Sequence, residues 1–265
     1  MIFERYIPNS ENAFQLPRQY RIWCYAAVTA LGMLFQAAYF YADDIVDRDS
    51  VFYARGVEVW YRTGDFSRLG AELISSENTT AMKYYTAPFY LFVLKTLKIV
   101  FPDVGIETLA RWWGALVGGA ALCFSMLCIE MILKDDLSAL LSGLMLAIHP
   151  RFAGLAYRML RDMTYLFIVI MVLYLCLTAL RKRSVYPAAA AGGLCFAGMC
   201  CRIEFLAFMA ALCPLAVLDI LLLRRRDILI WGVFAAFVAV GFVVWTLVMG
   251  IPWNFFLVYL RYFIA

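Results

Sequence analysis

Charge is what this chain has least of. Only 16% of its 265 residues are Asp, Glu, Lys or Arg, against about a quarter in soluble domains. With 65% apolar residues and a mean hydropathy of +0.80, the chain cannot hide its apolar surface in one water-soluble core. Its solvent must be lipid. The net charge is +4, and no long basic tract is present, which argues against a nucleic-acid partner. Cysteine is absent from the polar stretch 43–83, which rules out a disulfide-stapled loop there. The eight cysteines all sit in apolar runs and read as small buried hydrophobes. No Cys/His spacing suits zinc. Histidine is nearly missing: His149 stands alone, next to Pro150, and reads as a packed, hydrogen-bonded side chain rather than a base or ligand. No cleavable leader is visible, because residues 1–20 are mostly polar and the first apolar run is long enough to span. Internal repeats and low-complexity linkers are also missing.

What the chain does have is long apolar runs. A membrane span needs about 20 mostly apolar residues. The candidates are 22–42, 110–133, 137–157, 163–180, 185–201, 203–223 and 227–249. The stretch 86–101 is shorter and carries Lys95, Lys98 and Pro88, so it reads as an amphipathic surface helix. Lys and Arg favour short cytoplasmic loops. Arg181 to Arg183 and Arg224 to Arg226 are separated by two apolar runs and can both lie inside. Working backwards puts Lys134 inside, and also Arg5, Arg18 and Arg21 at the chain start. The expectation is an all-α membrane protein of seven spans in one unit, 1–265. The N-terminus is inside, 43–109 forms a long outer loop, 110–249 holds spans two to seven, and 250–265 begins a further outer segment. The cell membrane is the expected location.

This topology brings three polar places to one face: the loop from Asp43, the segment Arg158 to Asp162, and Arg202-Ile203-Glu204. Arg151, Arg158 and Arg161 break the charge rule by lying on the outer side. Either an anion such as a phosphate holds them there, or they pair with Asp162 or with loop acids. Ala188 to Gly193 is a small-residue run that permits close helix packing. Glu130 and Asp219 lie near inner span ends, where water can reach them.

The outer loop opens with Asp43, Asp44, Asp47 and Asp49. Residues 51–63 then read as a helix with Tyr53, Val57 and Trp60 on one face. Asp49 or Ser50 can cap its start and Gly64 can end it. As a bare pattern the Asp cluster is compatible with a solvated loop. Held at a membrane surface, it also suits a polar site or a divalent metal at Asp43, Asp44 and Asp47.

The order of motifs resembles the GT-C superfamily of membrane glycosyltransferases, which includes protein O-mannosyltransferases and lipid A aminoarabinose transferases. Those chains carry D-E-x-x-Y-A after the first span, then G-D-W nine residues on. Here stand Asp49-Ser50-Val51-Phe52-Tyr53-Ala54 and Gly64-Asp65-Phe66. A family K-P-P-x-x-Y-W element is matched by Lys83 and Ala87-Pro88-Phe89-Tyr90. Ala110-Arg111, His149-Pro150, Asp162-Met163 and Arg202-Ile203-Glu204 follow in the family's order. The likeness covers about residues 20 to 215. It departs at Ser50, where many members have Glu.

The resemblance implies transfer of a hexosyl or pentosyl group from a polyprenyl-phosphate donor, with inversion, to an outer acceptor that is a glycan, lipid or protein. Asp49 would orient or deprotonate the acceptor. Arg161 and Arg202, with Lys83 next, would meet the charge developing on the leaving phosphate. Asp162 and Glu204 would orient those arginines or bind sugar hydroxyls, and Tyr53 would line the site. A plainer reading of Arg202 and Glu204 is an ion pair stapling two helices. A transporter or flippase is the competing function, but no ionisable group is centred in a span. A non-catalytic or partner-dependent module is the third reading, since the chain covers the family's shared helices and little beyond them.

Overall fold

The computed structural model describes residues 13–42, 48–64, 87–158, 160–202, 204–222 and 227–249. Among them every regular element is a helix. In chain order these are α1 (Arg18–Ala42), α2 (Arg48–Thr63), α3 (Pro88–Val100), α4 (Ile106–Leu133), α5 (Asp136–Ala147), α6 (Pro150–Tyr157), α7 (Asp162–Lys182), α8 (Val185–Cys201), α9 (Phe205–Leu222) and α10 (Ile228–Met249).

Helices α1, α4, α7 and α10 are long and apolar enough to cross a membrane. The pair α5 and α6 makes a fifth crossing if its two parts act as one span. Among the described residues the chain is thus all-helical with four to five candidate spans, as in a multi-pass membrane protein. The expected count of seven is not reached among the described residues. At 1.5 Å per residue, the 17 residues of α8 extend about 26 Å and the 18 of α9 about 27 Å, short of a hydrocarbon core of about 30 Å.

The expected span 137–157 is also broken. Its halves meet at 61°, because Pro150 lacks an N–H and disfavours helical geometry at His149 before it. Residue His149 sits extended at the break and is exposed, so it is not the packed side chain expected.

The segment 86–101 contains α3, which packs on α2 and the start of α4. Its 13 residues are too short to span, and both lysines are engaged locally. The Lys95 ammonium lies 4.5 Å from the Trp60 ring centre. Lys98 donates to the carbonyls of Pro102 and Val104 just past the helix end.

Side-chain bonds fix the helix directions. Trp113 donates to Thr164 at 2.9 Å, so α4 and α7 start side by side. Thr178 reaches Met131 at their other ends. Arg21 at the start of α1 pairs with Glu130 at the end of α4, so those two helices are antiparallel. Gly192 lies against Phe234 and Phe237, and Gly241 against Phe196, so α8 and α10 run parallel. The small-residue run allows that close approach, with Ala188, Ala191 and Gly192 buried. The largest apolar core joins α7, α8, α9 and α10. A second joins α2, α3 and the start of α4.

Two expectations need revision. Asp219 is buried, and its carboxylate accepts from the Trp231 indole at 2.9 Å, so a hydrogen bond replaces the expected water. Of the cysteines, Cys176, Cys195, Cys200 and Cys201 are buried, while Cys24, Cys123 and Cys128 are half-buried. Cys213 is exposed, on an α9 surface that lipid can cover.

Candidate functional site

The start of α7, the turn between α8 and α9, and the first turn of α3 meet at one end of the bundle. Asp162 opens α7. Arg202 follows the last residue of α8, and Glu204 precedes α9. Arg202 donates to Asp162 through one terminal nitrogen and to Glu204 through Nε at 3.3 Å. One guanidinium therefore lies between two carboxylates that are 40 and two residues away in sequence.

Burial works against the charge on Arg202. Asp162 and Glu204 more than offset it, so its pKa is raised. The guanidinium also lies 5.7 Å from the ring centre of Tyr165, a cation–π distance. All three charged side chains stay about one-third exposed, at 30, 27 and 33%.

Tyr90 lies beneath this cluster. It is fully buried, and among the described residues its hydroxyl has no hydrogen-bond partner. Burial pushes its pKa up, and Tyr53, Cys201 and Asp162 add to the rise. An unpaired buried hydroxyl costs about 1–3 kcal/mol. Tyr53 of α2 packs edge-on against Tyr90, with ring centres 5.4 Å apart. The face expected for α2 is present: Tyr53 and Val57 are buried in the core shared with α3 and α4, and Gly64 ends the segment with φ of +71°.

Of the residues singled out from sequence, Tyr53, Asp162, Arg202 and Glu204 gather at this end. Arg161 immediately precedes α7, next to Asp162. Asp49 lies one residue inside α2, which begins at Arg48, so neither Asp49 nor Ser50 is the helix cap. Asp43, Asp44, Asp47, Lys83, Asp65 and Ile203 lie outside the described residues. Among the described residues, no group of three or more His, Cys, Asp or Glu side chains could hold a metal ion.

Tyr165, beside Arg202, was not singled out from sequence, and neither was Gln36, which packs against Gly118 of α4. Tyr165 carried no signal beyond its place one turn after Asp162. Gln36 is the sole amide in the run 22–42, and that scarcity is a usable signal. It is buried, with neither amide atom paired.

No family model, curated protein or solved structure matches the chain.

Proposed function

We propose that this protein is a membrane glycosyltransferase of the GT-C kind, taking a sugar from a polyprenyl-phosphate donor. One observation carries the reading. Three sequence elements lying up to 151 residues apart, at Tyr53, Asp162 and Arg202 to Glu204, meet at one end of the bundle over a buried, unpaired tyrosine hydroxyl. Arg202 and Arg161 supply positive charge for a departing lipid phosphate. Asp162 and Glu204 hold Arg202 in place. Asp49, on the helix that carries Tyr53, is the acceptor-side carboxylate. Asp43, Asp44 and Asp47 are the place for a divalent metal, and Lys83 is a further phosphate contact.

The other end of the bundle gathers Arg18, Arg21, Lys134, Arg181 and Lys182. By the charge rule, that end is cytoplasmic and the Arg202 end faces outward. Helices α8 and α9 then complete seven passes, with local thinning of the bilayer accommodating their shorter length.

A second reading has its own support. Arg202 already holds two carboxylates, which is what a staple between α7, α8 and α9 requires. A non-catalytic module would keep that staple and lack transfer.

The test is transfer of labelled sugar from polyprenyl-phosphate donors by the purified chain, beside Asp49→Asn and Arg202→Gln. Transfer by the parent chain, with loss in both folded variants, supports the enzyme. Absence of transfer from every donor, with the fold intact, favours the module.

A further inference from the structure

The break between α5 and α6 leaves a cleft of about 490 Å³ beside the end of α1. Tyr39, Arg151, Leu155, Tyr157 and Arg158 line it. A smaller cavity of about 150 Å³ shares Tyr157 as a wall and runs between α1 and α4 past Gln36, Arg111 and Trp112. Sharing Tyr157, the two cavities lie side by side in one groove region, and neither is lined by Asp162, Arg202 or Glu204.

Three features of the groove point to one ligand chemistry. Arg111, Arg151 and Arg158 place three guanidiniums along it, and the planar donor fork of arginine matches phosphate oxygens. Gln36 is 1% exposed, lines the inner cavity, and has neither its NH₂ nor its carbonyl oxygen paired. A buried amide in an apolar helix face needs a polar partner, and a headgroup offers acceptors and hydroxyl donors together. Beside the groove, Trp112 and Leu116 stand 50% and 59% exposed one turn apart on α4. They give an apolar path outward from the polar pocket, so the ligand that fits has a charged head and a hydrocarbon tail.

We propose that this groove binds the phosphate headgroup of an anionic membrane phospholipid. The assignment does not rest on glycosyl transfer. It also accounts for arginines on the side of the bundle opposite to the other basic clusters.

The test uses the full chain in detergent, titrated with short-chain phosphatidylglycerol or short-chain phosphatidylcholine and read by native mass spectrometry. The expected result is saturable binding of phosphatidylglycerol about tenfold tighter than phosphatidylcholine, the effect of one charge-assisted contact set. Arg151→Gln, at an exposed position that leaves the core untouched, weakens phosphatidylglycerol about three- to tenfold. Gln36→Leu weakens binding while keeping or raising the thermal midpoint of the lipid-free chain. Equal binding of the two lipids, or phosphatidylglycerol binding unchanged by both variants, overturns the proposal. Displacement of bound lipid by equimolar inorganic phosphate assigns the site to a free anion and overturns the lipid source. Displacement by equimolar polyprenyl phosphate assigns the groove to the sugar donor and overturns it too.

Discussion

The two ends of the bundle use the same parts differently. Each sets one arginine between two carboxylates. At one end Arg21 pairs with Glu130 at 3.0 Å and Asp136 at 3.6 Å. At the other, Arg202 pairs with Asp162 and Glu204. Asp136 is nearly fully buried. It also accepts from the Leu16 amide at 2.7 Å and the Tyr25 hydroxyl at 3.4 Å. Asp135 beside it caps α5 through the Ser138 amide and accepts from the Phe14 amide. The Arg202 cluster is more open and borders a tyrosine hydroxyl with no partner. A buried network with several donors on one carboxylate serves to hold helices together, because little acceptor capacity is left over. An open cluster keeps capacity for something that comes and goes.

The largest effect expected from this contrast is on transfer. On the proposed glycosyl transfer, Arg202→Gln is expected to lower the rate about 100- to 1,000-fold, as loss of one preorganised donor does, while Arg21→Gln leaves the rate per folded molecule within about twofold. Equal loss in both variants would erase the distinction between the ends.

Next in size is stability. Asp136→Ala strips Arg21, Leu16 and Tyr25 of a buried partner and costs about 3–5 kcal/mol, measured by unfolding in mixed detergent micelles. Arg202→Gln costs far less, about 1 kcal/mol, because its partners remain about one-third exposed and solvent screens them.

The smallest effect is a pH dependence. Bonds from Ser138, and then from Phe14 and Leu137, hold the Asp135 carboxyl below its ordinary value against slight desolvation. A depressed carboxyl stabilises the fold above the unfolded value, and that contribution is lost as pH falls through the folded value. The protection factor of the Phe14 amide, its exchange relative to the intrinsic rate at each pH, therefore falls in the acid range below about pH 4. Asp135→Asn lowers that protection factor already at neutral pH and removes the dependence. Unchanged acid behaviour in that variant would show that Asp135 does not hold the segment.

Much of this was legible from residue order. The face of α2 followed from Tyr53, Val57 and Trp60, because helical spacing alone sets it. The short length of α3, its two lysines and Pro88 set it apart from the spans, and its 13 residues are too few to cross. Topology brought Asp162 and Arg202 to one end, since alternating passes fix which termini are neighbours. The break at His149-Pro150 was written in the sequence, but hydropathy averages across it and reports one run. The pairing of Asp219 with Trp231 depends on where two helices cross, which residue spacing within either helix does not encode. The burial of Gln36 is of the same kind. Its α1 face meets Gly118, and only packing puts that glycine there.

The bonds from Phe14 and Leu16 reach residues 121 and 120 positions further on. During synthesis that stretch of chain takes roughly 6–24 s to appear, at about 5–20 residues per second. The strap across the start of α1 therefore closes late. Until α4 and α5 emerge, Arg21 has neither Glu130 nor Asp136 beside it, and it meets the insertion machinery as an uncompensated positive charge. The same side chain first helps decide which way α1 enters the bilayer, and is neutralised by its carboxylates only after that decision has been made.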